Sequence, residues 1–242
     1  MARRGSSEIT TDRIDRRRVG GATRARINRA AVELFYRQGY RATTMRDIAT
    51  ACDLTPAAFY NHYSSKDQLL QSIILDAWEQ LEEVVDEAVA AAGKSPSRQL
   101  QALVRAMALW HCANIQQAQV ANREALELSD ELLGPLKAKR RAFRSKVEKV
   151  VAAGLASGDF VPPDLPVAGA TRAMATIVLG FIQSISSSIL ESKTLTPEGL
   201  ADLLAALIGR MVGGDPAAVS ELARAQPGGE SGNGAARVGR AR

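Results

Sequence analysis

From Ala22 to Val212 the apolar residues of this chain recur three and four positions apart, and nowhere do they alternate with polar ones for long enough to build a sheet. That single regularity predicts an all-α fold. The first helix spans Ala22–Arg37, with Ile27, Ala30, Ala31, Leu34 and Phe35 on one face and Gly39 as its stop. Thr44 caps a short helix running to about Ala51, residues 52–54 make a turn, and Thr55-Pro56 opens a second short helix ending near Asn61. Two short helices joined by a tight turn behind a longer one form a helix-turn-helix candidate. Longer helices are expected over Lys66–Ala92, Ser97–Ile115, Gln116–Leu128, Leu136–Ala156, Val167–Leu190 and Pro197–Val212, with a loop at Pro162, Pro163 and Pro166.

The chain is 46% hydrophobic but only 5% aromatic, so its core is expected to be built from alanine and leucine. Two cysteines, Cys52 and Cys112, are too few for a disulfide framework and have no metal-ligand spacing around them. No signal-peptide pattern opens the sequence, and no stretch approaches the roughly 18 apolar residues of a membrane span. The expectation is a soluble, cytoplasmic protein without membrane contact. The formal charge of +5 is unevenly placed, because residues 1–30 carry nine arginines against three acids and the remainder is near neutral. A basic arm over residues 1–20, read as disordered, suits phosphate binding by counterion release, and equally suits a solubilising tail. A polar, glycine-rich tail over 213–242 is likewise read as disordered.

The segment ATRARINRAAVELFYRQGYRATTMRDIATACDLTPAAFYNHYSSKDQLL, residues 22–70, resembles the DNA-binding domain of TetR-family transcriptional repressors. The shared pattern is A-x-x-L-F, then G-Y, a Thr-Thr pair, I-A, a turn, and F-Y-x-H-Y-x-S-K-x-x-L. The resemblance covers about residues 21–81 and implies a three-helix DNA-binding domain with its motif over 44–63. Residues 82–212 would form a helical effector-binding and dimerisation domain. Two positions depart from the pattern: Asp53 stands where the turn usually has glycine, and Ala57 where glycine is frequent.

Under this resemblance Thr44, Tyr60, His62 and Lys66 are expected to hold phosphates. Thr55, Pro56, Ala57 and Asn61, with Arg46 nearby, are expected to face bases. Phe59 and Tyr63 read as core. The family further implies a homodimer on a palindromic operator, released by a small hydrophobic effector. The dimer would be made by the two apolar C-terminal helices, which carry more apolar surface than one partner face needs.

Candidate effector residues are Trp78, Met107, Trp110, His111, Asn114, Met174, Phe181 and Gln183, which place rings, a thioether or a polar group on helices expected to converge. The run KAKRRAFRSK, Lys137–Lys146, reads as a solvated helix face, or else as a cradle for the phosphates of an acyl-CoA. No cofactor or metal is expected, since His111-Cys112 alone supplies no ligand set. With two histidines, one of them inside the recognition motif, no enzymatic constellation emerges. The competing reading is a nonspecific architectural DNA-binding protein driven by the arginine arm.

Overall fold

The computed structural model describes residues 5–161, 169–180 and 195–213, with side chains from residue 21 onward. Among these residues there are helices and turns and no strand. In chain order they are α1 (Gly5–Gln38), α2 (Met45–Ala51), α3 (Pro56–Tyr60), α4 (Lys66–Ala91), α5 (Pro96–Ala113) and α6 (Ile115–Arg123). A 3-10 turn (Glu124–Glu127) leads into α7 (Asp130–Ser157), followed by α8, described over 169–180, and α9 (Pro197–Met211). The prolines of the 162–166 loop, the later part of the 167–190 helix and the tail beyond residue 213 lie outside the described residues.

Local chemistry explains where the helices begin and end. Ser65, Ser95 and Thr196 each accept a hydrogen bond from the third residue of the helix they open, and Pro96 and Pro197 occupy first-turn positions that need no amide. Gly39, Gly93 and Gly158 follow helices with left-handed backbones. Two starts differ from expectation. α1 begins at Gly5, not Ala22, because residues 5–21 contain no proline and Gly20-Gly21 weakens a helix without breaking it. α7 begins at Asp130, six residues before Leu136, because Pro135 near its start forfeits only one backbone bond.

One continuous core joins the described helices. α4 packs on α5 and α7, and α9 lies along α5, where Arg105 meets Asp202 at 2.7 Å. At the far end of α7 the packing leaves no slack: a Cβ on Gly154 would sit 2.1 Å from the ring of buried Phe160. Gly154→Ala is therefore expected to cost roughly 1–3 kcal/mol, the usual penalty of overpacking. Denaturant unfolding measures it, and a change below about 0.5 kcal/mol, the range of a surface substitution, would contradict this packing.

The first four helices form a subsidiary unit around Ile27, Phe35, Ile48, Phe59 and Leu69. Tyr63 hydroxyl donates to Asn28 Oδ1 at 2.7 Å, and Asn28 Nδ2 donates to Asp76 at 2.6 Å, tying α1 to α4 just past α3. Beyond the packing of α1 on α6 and of α4 on both units, two side-chain contacts tie this unit to the larger one. Arg41 Nε reaches both Glu127 oxygens at 3.1 and 2.9 Å, and Gln71 Nε2 donates to the Leu132 carbonyl at 2.7 Å. The expected domain boundary at Leu81 falls inside α4, which runs through it unbroken.

Candidate nucleic-acid interface and effector cavity

α3 is a five-residue helix whose two sides have opposite environments. Phe59 is fully buried, while Pro56, Ala57, Tyr60 and Asn61 are exposed at spacings that place them together on the outer face. Thr55 caps the helix by accepting from the Ala58 amide at 3.2 Å, and Tyr60 is 54% exposed, an unusual cost for a large ring. The α2–α3 turn passes through Asp53 at φ 53°, a left-handed conformation that aspartate tolerates without the glycine usual there. Arg46 is exposed on α2, and His62 is half-buried beyond α3.

Two expected phosphate ligands are committed elsewhere. The Thr44 hydroxyl and amide both donate to Asp47, at 2.7 and 2.9 Å, closing a capping box on α2. In this structure a carboxylate already holds both of the donors expected to meet phosphate. The Lys66 ammonium is turned inward, donating to the carbonyls of Tyr40 at 2.7 Å and Thr43 at 2.8 Å, and it lies 4.2 Å from the Tyr40 ring centroid. It is the clasp of the 39–43 loop, not a charge offered to solvent. Tyr40 itself donates to Asp67, and burial, helped by that carboxylate, pushes its phenol far above the ordinary range.

A cavity of about 190 Å³ opens in the larger unit. α4 lines it with Ala77, Trp78 and Leu81, α5 with Met107, Trp110 and His111, and α6 with Ala118, Ala121 and Asn122. Arg140, Phe143 and Arg144 come from α7, and Leu179 from α8. Four expected residues, Trp78, Met107, Trp110 and His111, therefore meet at one cavity. Asn114 does not line it, because its amide donates to the Trp110 carbonyl at 2.9 Å at the α5–α6 junction. Met174 is buried in the core and does not line this cavity, and Leu179, roughly 140° further round α8, reaches it. Phe181 and Gln183 lie outside the described residues.

Sequence reasoning missed the α7 wall. Within the basic run, Arg140, Phe143 and Arg144 are spaced three and four apart and share a face, the one signal that could have found them. The neighbouring Lys139 and Lys146 instead pair with Glu79, Glu82 and Asp86 of α4 at 2.6–3.7 Å. The bonds to Lys146 and then Lys139 hold the Glu82 carboxyl below its usual range. Arg140 lies 5.9 Å from the Trp78 ring centroid, and Trp78 packs edge-on against Phe143 at 5.5 Å.

Arg144 Nε is buried without a hydrogen-bond partner. His111 Nδ1 lies 2.8 Å from the Met107 carbonyl, which can only accept, so Nδ1 carries the proton and Nε2 is the acceptor. Burial holds this imidazole below its ordinary 6.5. The unfolded chain therefore takes up the proton first as pH falls. Stability that is full above pH 6.5 is expected to decline as pH falls below that value. Thermal melts of His111→Gln between pH 7.5 and 5 should show a flatter acid slope than the parent, and an unchanged slope would contradict the assignment.

Comparison with known proteins follows this division of the chain. Residues 27–73 match the family described as bacterial regulatory proteins, tetR family, and residues 93–212 match the tetracyclin repressor-like C-terminal domain. A bacterial regulatory protein in the tetR family from Rhodococcus RHA1 superposes with a TM-score of 0.70 at 31% identity, over 80% of this chain and 98% of that one. The chain belongs to the TetR family.

Among TetR-family relatives, the HTH-type transcriptional regulator UidR of Escherichia coli K12 is 42% identical over 53 residues, 22% of this chain and 27% of UidR. The chain thus spans about a quarter of the length of this curated relative. AibR, solved in complex with isovaleryl coenzyme A and operator DNA, shares the fold at 24% identity with a TM-score of 0.69, over 80% of this chain and 100% of AibR. In the TetR-family chain described here no helix of the described residues is long and apolar enough to cross a membrane. Among the same residues no group of three or more His, Cys, Asp or Glu could hold a metal.

Proposed function

We propose that this chain is a transcriptional repressor that binds a palindromic operator as a homodimer and releases it when a small hydrophobic effector, such as an acyl-CoA, enters the cavity. The observation that carries the reading is the outer face of α3. Pro56, Ala57, Tyr60 and Asn61 stand exposed on a helix anchored from behind by fully buried Phe59. Small apolar groups suit thymine methyls, and Asn61 suits adenine. Thr55 and Arg46 complete the base-facing set, with Tyr60 and His62 left for phosphates. The loop that Lys66 clasps sets the angle between α1 and this surface.

Ile177 and Leu203 are 49% and 41% exposed on the outward faces of α8 and α9, the surface proposed to meet a second copy. Two such reading heads would enter successive major grooves roughly 34–36 Å apart. For the effector, the aromatic cavity suits an acyl group, and exposed Arg140 suits a phosphate or carboxylate. The expected partners are double-stranded operator DNA and this effector, in the cytoplasm and without enzymatic activity.

Gel shifts on the DNA upstream of the chain's own gene, with competitor DNA and varied salt, test the reading. A protected palindrome is expected. Binding that ignores sequence would replace the repressor with an architectural DNA-binding protein. Asn61→Ala is expected to relax preference at one base position by about 1–3 kcal/mol, and an unchanged preference would remove Asn61 from the base-reading set.

A further inference from the structure

The cavity's polar groups are few and chemically distinct. On the reading that this is the effector site, we propose that the effector presents a single-ring acyl group bearing a hydroxyl. The acyl carbonyl oxygen accepts from the guanidinium of Arg144, and the hydroxyl donates to Nε2 of His111. The size fits a ring and little more, because about 190 Å³ falls below the roughly 300–1,000 Å³ of sites for drug-sized molecules. The walls fit a flat group: Trp78, Trp110 and Phe143 line the space, and offset or edge-on contact with such faces is favourable.

The hydrogen bonding narrows the ligand further. Arg144 contributes to the lining, and its buried Nε–H has no acceptor; a ligand carbonyl that meets this N–H as the guanidinium turns to the cavity supplies the missing one. His111 offers the opposite polarity. Its Nδ1–H is spent on Met107, so Nε2, on the ring edge away from that bond, can only accept while the imidazole is neutral. A plain hydrocarbon ring would give the Arg144 Nε–H no acceptor and His111 Nε2 no donor, whereas a hydroxylated ring ending in a carbonyl supplies one of each. Exposed Arg140 can meet further negative charge. The same acyl chemistry could arrive as a free carboxylate or as a coenzyme A thioester.

Both tryptophans of the chain line the cavity, so the intrinsic fluorescence of the full-length protein reports occupancy directly. The probes are benzoate, 3-hydroxybenzoate and 4-hydroxybenzoate, the coenzyme A thioesters of all three, and palmitoyl-coenzyme A. At least one hydroxylated probe is expected to bind about tenfold tighter than its unsubstituted counterpart. His111→Phe should erase that preference, so that hydroxylated and unsubstituted rings bind alike, whereas mere loss of packing would weaken both and keep the preference. Arg144→Met should weaken every ring probe about tenfold or more. Saturation by the free acids assigns the carboxylate as the source; saturation by the thioesters alone assigns coenzyme A. Equal affinity with and without the hydroxyl, tighter binding of palmitoyl-coenzyme A, or no binding at all overturns the proposal. Operator release is followed in parallel by gel shift. A probe that binds with the expected preference but leaves DNA bound defeats the repressor reading alone, and release by a chemically unrelated compound defeats the ligand assignment alone.

Discussion

Phe59→Ala is expected to cost roughly 3–5 kcal/mol, the range for truncating a fully buried aromatic side chain, and to abolish operator binding. The loss should be local. α3 has five residues and its backbone bonds alone do not sustain a helix in water, so it depends on the ring of Phe59 in the core formed with α1, α2 and α4. The cavity is walled by the middle of α4 and by α5 to α8, away from α3, and contains both tryptophans, so the fluorescence of the folded variant should stay close to that of the parent. Hydrogen exchange over residues 45–63 should accelerate while α5 and α7 remain protected. A variant that still binds its operator, or loses less than about 1 kcal/mol, would show that α3 is held by something other than this side chain.

The second large effect belongs to Lys66→Met, which keeps the length of the side chain and removes the ammonium. The carbonyls of Tyr40 and Thr43 then lose their donor, at about 1–3 kcal/mol for each group left unsatisfied. DNA affinity should fall for operator and random sequence alike, because the loop joining α1 to α2 is no longer held. The salt dependence decides between the two roles this lysine could play. A lysine that neutralises a phosphate contributes about 0.9 to the slope of log affinity against log salt, whereas a clasp contributes nothing. The slope is expected to be unchanged; a decrease of about one would restore Lys66 to the phosphate contacts.

The helix-turn-helix was legible because its punctuation is local. Thr44, Thr55, Pro56 and Gly39 each act on their own backbone within four residues, so their roles can be read without knowing what lies opposite. The same holds for the burial of Phe59 and Tyr63, which follows from spacing alone. The inward bonds of Lys66 were not legible, for the complementary reason. Its partners lie 23 and 26 positions away, and a lysine at a helix start looks equally suited to water, to phosphate or to a carbonyl. The cavity was half legible. Rings on α4 and α5 announced themselves, but the α7 wall was hidden inside a run of cations. Charge runs usually mean a solvated face, and here three members go to two different destinations. Arg144 goes to the cavity, Lys139 and Lys146 to acids on α4, and only the three-dimensional packing separates them.

The pair of fastenings between the two units bears on engineering. Sensors are built by exchanging the reading head of one regulator for that of another, and the cut is usually chosen from sequence alone. Here a donor head brought in with all of α4 would still place its residue 41 against Glu127 and its residue 71 against the Leu132 carbonyl. A chimera whose donor lacks an arginine and a hydrogen-bond donor at those two positions would lose both contacts, and the donor α4 would also replace Ala77, Trp78 and Leu81 in the cavity wall. The head therefore travels with one wall of the cavity as well as with its grip on the stretch 124–132.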